Sequence, residues 1–279
     1  MMPPVERKLL ISRRSLLRLS AIGAGSLLVA GCDDSISENP QVLSIIDKAS
    51  ALTYRAQRLI LPRDKLAPEY PESDIAPQFR ANGSTSPSDP TYRALAAANF
   101  VDWRLAVDGL VEKPLKLSLA DLRALPASTQ ITRHDCVEGW SCIGKWTGTP
   151  LSEVLNRAGV KPQARFVVFH CADKFQDGGY PDDFEPGESD SSNSGGVPYY
   201  ESIDFVDAYH PQTLLAYELN GQTLPIAYGA PLRLRLGRQL GYKMAKYVMR
   251  IELVSSFAQM GGGNGGYWED LGYQWYAGI

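Results

Sequence analysis

The sequence predicts an α+β fold of mixed sheets with short helices. Several segments alternate apolar and polar residues in the way that half-buried strands do, and short capped helical segments lie between them. The chain has 279 residues, of which 44% are hydrophobic and 21% charged, so it can bury a sizeable core and is neither disordered nor fibrous. A formal net charge of −3 argues against a nucleic-acid-binding protein.

Residues 1–31 are predicted to be a signal peptide. Arg13 and Arg14 precede an apolar run over residues 19–30, which is too short for a bilayer that needs about 20 residues. The arginine pair resembles a twin-arginine export signal. The run ends in the residues VAGC at 29–32, which resemble a lipoprotein cleavage box and make Cys32 the expected lipid anchor. We therefore expect export to the periplasmic or outer face of the cytoplasmic membrane; the alternative is a buried helix with an incidental cysteine.

Residues 32–98 are predicted to be an anchor segment followed by a proline-rich arm. Apolar residues at helical spacing predict one helix within 33–60. Between Pro62 and Pro90 there are 6 prolines, and proline is excluded from helix interiors and inner strands. This stretch is either a solvated linker or an arm laid over the domain, and the aromatic residue Phe79 favours the arm.

A compact domain over 99–257 carries the predicted strands. The Asp108-Gly109 and Asn220-Gly221 pairs are turn signals that end two of them. The apolar segment 166–171 is predicted to be covered on both faces. The strands are predicted at 103–107, 115–119, 128–133, 166–171, 213–219, 231–236 and 246–254.

Three short helices are predicted between these strands. Ser118 with Asp121 forms a capping box for a helix that ends at Leu125 before a proline. Thr149-Pro150 opens a second helix through Ala158, and a third is expected around 202–209. The polar segment 174–199 is predicted to be a long functional loop.

The last segment, 258–279, is predicted to be a glycine-rich hinge followed by an aromatic tail. The glycine run 261–266 has no following Lys-Ser/Thr pair, so it is not a phosphate-binding loop. We expect a tail tyrosine to reach the functional site. The aromatic residues of the tail are Tyr267, Trp268, Tyr273, Trp275 and Tyr276.

Cysteine and histidine residues are clustered in one part of the domain. His134, Cys136, Cys142, His170 and Cys171 lie within 38 residues, which makes them candidate metal ligands. Their spacing does not fit structural zinc sites, and the chain has no CxxCH motif for covalent haem. A disulfide such as Cys142–Cys171, or plain buried thiols, are the alternatives.

Two adjacent blocks resemble a known family. The segments HDCVEGWS at 134–141 and GKWTGTPL at 144–151 are similar to those of the sulfite-oxidase-type molybdopterin-dependent oxidoreductases. Within that family they most resemble the periplasmic protein-methionine-sulfoxide reductase catalytic subunits. The resemblance covers about residues 99–257 and implies the sulfite-oxidase-like molybdopterin-binding fold. Other blocks that agree in order are residues 103–105, 107–111, 209–211, 220–221, 229–233 and 241–246.

The resemblance also implies site residues. It makes Cys136 the molybdenum ligand, completing a metal held by the pterin dithiolene, and it places Arg233 and Lys246 at cofactor-binding positions. Glu138 is the expected catalytic acid for proton relay, with a loop carboxylate satisfied by backbone amides as the alternative. The cofactor contacts that complete the implied set are Asn82, Cys171, Tyr228, Met244 and Ala245, among which Cys171 and Tyr228 depart from the residues usual in the family.

The function implied is oxygen-atom transfer to or from a small sulfoxide or sulfite-like substrate, including oxidised methionine. Because the chain carries no haem, flavin or iron–sulfur motif, a b-type haem membrane protein or a cytochrome is the expected electron partner. About 22 residues follow Phe257, too few for the immunoglobulin-like dimerisation domain of sulfite oxidases, so a monomer is expected. The competing hypotheses are a non-catalytic copper- or zinc-binding lipoprotein that uses the His/Cys cluster and a cofactor-free relic of the fold that acts as a binding module.

Overall fold

The computed structural model describes residues 39–60, 62–175 and 196–279. The predicted signal peptide, Cys32 and most of the predicted 174–199 loop therefore lie outside the described residues. The chain divides into two units, 1–57 and 58–279. Helix α1 (Pro40–Ile60) confirms the helix expected within 33–60, and no described helix has the length and apolar character needed to cross a membrane.

The proline-rich segment is an arm laid over the domain, as Phe79 suggested. Its backbone pairs with the domain at two points: Tyr70 N donates to Ile131 O at 3.0 Å, and Ala76 N donates to Ile143 O at 3.0 Å. Phe79 is 3% exposed and packs edge-on against Trp146, with ring centroids 5.1 Å apart. The linker alternative is therefore wrong.

Ten strands in the described residues form two sheets. In the first sheet the strand order is β2-β1-β10-β5-β6, with β1 and β10 parallel and the other pairs antiparallel. In the second it is β3-β4-β7-β8, with β9 paired to β7. This mixed arrangement confirms the predicted fold class. The bounds are β1 Leu105–Gly109, β2 Leu115–Leu117, β3 Ser128–Asp135, β4 Ser141–Pro150, β5 Phe166–Phe175, β6 Val197–Asp204, β7 Thr213–Leu219, β8 Gln222–Thr223, β9 Arg233–Leu236 and β10 Val248–Val254.

Short helices connect the strands. The capping box predicted from Ser118 and Asp121 is present at the start of α3. On α4 the residues at positions i, i+3, i+4 and i+7 from Leu151 are fully buried against the sheets, and each buried leucine there contributes about 2 kcal/mol. The remaining helices are α2 Pro90–Ala97, α3 Leu119–Arg123, α4 Leu151–Ala158, α5 Phe205–Ala208 and α6 Tyr267–Asp270.

Five local predictions are corrected by the structure. Strand β4 was missed, and the helix after it begins at Leu151 rather than at Pro150. The helix expected over 202–209 is reduced to α5, because residues up to Asp204 pair with β5. Helix α2 was also missed, although Asp89 caps it by accepting from Tyr92 N at 2.9 Å. Finally, β5 extends to Phe175, into the predicted loop.

The C-terminal tail lies along β6, the edge strand of the first sheet. Gly266 forms an isolated bridge with Glu201, and Trp275 Nε1 donates to Ser202 Oγ at 2.8 Å. The glycine run turns the chain through positive φ values at Gly263 and Gly265. Covering an edge strand removes a site for unwanted pairing, and here it also brings the tail to the functional site.

Candidate active site

A cavity of about 260 Å³ opens where five parts of the chain meet. The arm, the β3–β4 turn, the facing ends of β5 and β6, the segment 241–246 and the tail all contribute to its wall. It is lined by Asn82, Gly83, Ser84, Cys136, Val137, Glu138, Asp173, Phe175, Tyr199, Gly241, Tyr242, Met244, Lys246, Trp268 and Tyr273.

Cys136 occupies the turn between β3 and β4. Its N–H donates to Trp140 O at 2.9 Å and its carbonyl accepts from Gly139 N at 3.1 Å. Gly139 has φ +83°, a conformation that favours glycine. The Cys136 thiol is free and half-buried on the cavity wall. Burial raises the pKa of this thiol to about 11, against the opposing effect of hydrogen bonds from the Glu138 and Val137 backbone.

Glu138 lines the cavity two residues further on. Its side chain is exposed, and its Oε2 accepts a hydrogen bond from Trp140 Nε1 at 2.7 Å. The carboxylate is therefore satisfied by an indole rather than by backbone amides. It stands at the solvent side of the cavity, where a group that exchanges protons with water is placed.

Arg233 lies beneath the cavity on β9 and is fully buried. Its guanidinium donates to Tyr228 O at 2.9 Å and to Met244 O at 3.5 Å, while its Nε has no partner in the described structure. The indole of Trp146 stacks on this group at 4.9 Å. Burial lowers the pKa of Arg233 to about 10.

Arg235 repeats this pattern two residues later and holds His134. Arg235 is fully buried, lies 4.4 Å from the Trp146 ring and donates to His134 Nδ1 at 2.9 Å. Burial and the neighbouring cations keep the pKa of His134 well below its usual range. The imidazole is thus neutral with its proton on Nε2, and that atom has no partner among the described residues.

Lys246 completes a set that we call the cationic cluster: Arg233, Arg235 and Lys246. In the part of the chain that the structure describes, the Lys246 ammonium donates to three carbonyl oxygens, those of Asn82 and Ala227 at 2.8 Å and that of Ser84. Burial lowers the pKa of Lys246 to about 7, and the charge of Arg233 acts in the same direction.

Across the described residues, no carboxylate forms a salt bridge with the cationic cluster. Desolvated charges of one sign are costly unless an opposite charge joins them. The cluster and the Cys136 thiol together fit a ligand that combines an anionic group with a thiolate-binding metal.

The other predicted residues take different places. Asn82 and Met244 line the cavity. Tyr228 offers its carbonyl to Arg233, and Ala245 is 1% exposed behind the wall. Cys171 does not line the cavity: it stands on β5 opposite Val248 and packs partly buried against the core. Of the tail tyrosines, Tyr273 reaches the cavity.

Two of the alternatives are wrong. Cys142 lies on β4 and Cys171 on β5, strands of different sheets, and both are free thiols. His170 is paired with Glu252 at 2.9 Å on the first sheet. Within the described part of the chain, no three His, Cys, Asp or Glu side chains assemble as a metal site. The His/Cys cluster of the copper- or zinc-binding hypothesis is therefore not formed.

One feature of the site was missed from the sequence. Lys243, fully buried, is paired with Glu201 and Glu269 next to the cavity. Lys243 belongs to a block that resembled the family, but neither glutamate carries a local motif.

Comparison with known proteins identifies the ligand class. Residues 93–260 match the family described as oxidoreductase molybdopterin binding domain. A protein of Azospira oryzae, provisionally named a protein-methionine-sulfoxide reductase subunit (YedZ1), is 38% identical over 96% of this chain and 88% of its own length. The protein-methionine-sulfoxide reductase catalytic subunit MsrP of Xanthomonas campestris pv. campestris is 34% identical over 93% of this chain and 73% of its own. The crystal structure of the sulfane dehydrogenase SoxCD from Paracoccus pantotrophus aligns with a TM-score of 0.45 and 24% identity, over 56% of this chain and 39% of that chain.

The family match covers more than half of the chain, and the residues that it spans include Cys136 and the cationic cluster. The hypothesis of a cofactor-free relic is therefore wrong, and the cofactor of this family is molybdopterin with its molybdenum. This chain belongs to the family of oxidoreductases with a molybdopterin-binding domain, and it is a molybdopterin-dependent oxidoreductase.

Proposed function

We propose that this oxidoreductase removes the oxygen atom from oxidised methionine or a related sulfoxide, with Cys136 as the protein ligand to molybdenum. The observation that carries the proposal is the Cys136 thiol on the cavity wall beside a buried cationic cluster that forms no salt bridge with any carboxylate of the described residues. The names of the Azospira and Xanthomonas relatives support the sulfoxide as the substrate class.

The chain's own residues would hold the cofactor in two ways. Arg233 and Lys246 offer buried positive charge for its phosphate, and Asn82 and Met244 line the adjoining wall. The residues around this part of the cofactor site would be Tyr228, Ala245 and, at a greater distance, Cys171. When bound, the molybdenum–pterin group supplies a centre that takes up and releases two electrons during oxygen-atom transfer.

The reaction balances as R₂S=O + 2 H⁺ + 2 e⁻ → R₂S + H₂O. The S=O bond breaks, the sulfur is reduced by two electrons, and the oxygen leaves as water. Glu138, exposed at the cavity and hydrogen-bonded to Trp140, is placed to pass protons from solvent to the departing oxygen. A separate one-electron donor, a b-type haem membrane protein or a cytochrome, supplies the electrons, and the description of the relatives as subunits supports such a partner.

We further propose that the protein is exported by the twin-arginine route and anchored by lipid on Cys32. The arginine pair at 13–14 and the residues VAGC at 29–32 support this proposal. The mass of the mature N-terminus tests it. An N-terminal diacylated Cys32 is expected, and an unprocessed Met1 or an unmodified Cys32 would overturn the anchor.

The enzymatic proposal is tested on protein purified from cells that make the cofactor. With an artificial electron donor we expect reduction of methionine sulfoxide in preference to turnover of sulfite, and about one molybdenum per chain. Cys136→Ser is the matched variant, because it exchanges one atom and keeps the size of the side chain. Activity retained by Cys136→Ser would overturn the ligand assignment, and turnover of sulfite alone would overturn the substrate.

A further inference from the structure

We propose that Lys243, Glu201 and Glu269 are positioning residues for the substrate, because the ion triad that they form seats the aromatic wall of the cavity, Trp268 and Tyr273. This inference rests on the proposed function for the identity of the substrate. The residues come from three separate parts of the chain: β6, the turn 241–243 and α6.

The triad has a defined geometry in a dry environment. Lys243 Nζ lies 2.5 Å from Glu201 Oε1 and also donates to Glu269 Oε1. The three side chains are 0–1% exposed. Glu201 Oε1 also accepts from the backbone N–H of Ser202 at 2.7 Å. A single ammonium therefore ties two carboxylates from two elements to one point.

Each member of the triad is next to a residue of the cavity wall. Tyr242 and Met244 flank Lys243, Trp268 precedes Glu269, and Tyr199 lies on the same face of β6 as Glu201. Through these neighbours the triad fixes the tail relative to the part of the wall that faces the cationic cluster.

The aromatic wall depends on that attachment. Trp268 stacks on Tyr273 with ring centroids 5.3 Å apart and planes at 23°, and Tyr273 contacts Tyr242 edge-on at 5.2 Å. Tyr273 is 41% exposed, so its outer face is open to substrate. Aromatic rings make favourable contacts with methionine sulfur, which suits a wall that receives a methionine-like side chain.

Stability alone does not explain the triad. Replacing a buried ion pair by apolar residues is often neutral or stabilising, and here two carboxylates share one ammonium. Glu201 Oε2 and Glu269 Oε2 have no hydrogen-bond partner in the described structure. Burial and the charge of Glu269 raise the pKa of Glu201 well above its usual range. Compared with apolar packing, the three charges restrict the triad to a single geometry.

The tail has a second attachment that serves as a control. Tyr200 Oη donates to Asp270 Oδ2 at 2.6 Å, and Asp270 also accepts from Gly262 N at 2.8 Å. Tyr200 and Asp270 do not line the cavity. Removing the Tyr200 hydroxyl by Tyr200→Phe therefore loosens the tail at a point that is not part of the cavity wall.

The experiment uses the neutral triple variant Lys243→Met, Glu201→Gln, Glu269→Gln in the cofactor-loaded enzyme. We expect KM for methionine sulfoxide to rise about tenfold or more, equivalent to about 1.4 kcal/mol, with kcat and molybdenum content near wild type. Tyr200→Phe leaves KM unchanged. A wild-type KM in the triple variant, or an equal rise in Tyr200→Phe, would overturn the proposal. If the triple variant does not fold, Glu269→Gln alone is measured against the same two outcomes.

A second readout does not depend on turnover. The readout is the 19F NMR spectrum of protein labelled with 5-fluorotryptophan. The resonance of Trp268 is assigned by its loss in the variant Trp268→Phe. We expect that resonance to shift or broaden in the triple variant and to stay in place in Tyr200→Phe. An unchanged Trp268 resonance refutes the positioning role. A changed resonance in a protein that never reduces methionine sulfoxide refutes the proposed substrate instead.

Discussion

Lys243 and Lys246 are three residues apart and both buried, but their surroundings are opposite. Lys243 lies between Glu201 and Glu269, whose charges outweigh burial and raise the pKa of its ammonium. Among the described residues Lys246 donates to backbone carbonyls alone, and burial lowers its pKa to about 7. The first cation is compensated by two carboxylates, whereas the second forms no salt bridge within the described residues, and we propose that a ligand compensates it.

The difference separates the scaffold of the site from its binding surface. A buried charge without an opposite charge is unfavourable, and Arg233 and Arg235 share that condition with Lys246. Such a cluster becomes stable in the folded protein when an anion binds among its charges. The cofactor phosphate is that anion in our account, while the Lys243 triad shapes the wall for the substrate.

The largest expected effect on stability comes from removing the cation of the compensated group, the Lys243 triad. Lys243→Met alone leaves two buried carboxylates without their cation, and we expect unfolding free energy to fall by about 3–5 kcal/mol. Urea unfolding of the apoprotein measures it. The neutral triple variant, in which no charge is left over, is the control and is expected to recover most of the loss. A loss below about 1 kcal/mol in Lys243→Met would contradict the role of the pair.

Arg233→Met removes one charge of the cationic cluster, and we expect it not to lower the stability of the apoprotein. Because it removes a desolvated charge and keeps a chain that packs on Trp146, apoprotein stability should stay constant or rise. Cofactor affinity should fall by roughly 10- to 100-fold, the value of one charge-assisted contact. Titration of apoprotein with the pterin cofactor measures the affinity. A destabilised apoprotein that binds cofactor normally would reverse our assignment.

Because of Lys246, the unfolding free energy of the apoprotein is expected to depend on pH. In the unfolded chain the pKa of Lys246 is near 10.5, and in the folded apoprotein it is about 7. Above pH 7 the unfolded state holds the extra proton, so unfolding free energy should rise with pH by up to about 1.4 kcal/mol per unit. Urea unfolding of wild type and Lys246→Met between pH 6.5 and 8.5 should give curves that diverge in this direction. Parallel curves would show that folding of the apoprotein does not lower the pKa of Lys246.

The smallest effect on stability is expected at Glu138, which is exposed and belongs to neither buried group. Glu138→Gln keeps an acceptor for Trp140 Nε1, so stability should change by less than about 0.5 kcal/mol. If the carboxylate passes protons, kcat should nevertheless drop by about 100-fold with unchanged cofactor content. Steady-state kinetics decides the matter, and an unaltered kcat would remove Glu138 from the proton path.

Local chemistry made part of this structure predictable. The Ser118–Asp121 capping box and the helix that ends at Ala158 were predicted from short-range signals, and both were confirmed. The resemblance around Cys136 predicted the family, because the motif residues are contiguous in the chain. The individual roles of Cys136 and Glu138 stay predictions.

Strand β4 was missed because glycines, Gly144 and Gly148, occupy two of its inward positions. A Cβ on Gly144 would lie 2.9 Å from the Phe79 ring, and one on Gly148 would lie 2.3 Å from Leu215 O. The close approach of the arm and of β7 requires these glycines, which in the sequence resemble a loop.

The Lys243 triad was missed for a different reason. It joins residues 201, 243 and 269, and their proximity depends on the tail lying along an edge strand. No local pattern encodes that long-range contact.

The most direct test of the central claim is the molybdenum and pterin content of three proteins purified in parallel. Wild type and the neutral triple variant Lys243→Met, Glu201→Gln, Glu269→Gln are predicted to hold about one cofactor per chain, while Arg233→Met loses most of it. Cofactor retained in Arg233→Met at the wild-type level, or lost equally in the triple variant, would contradict the division of the buried cations into a compensated scaffold and a ligand-compensated site.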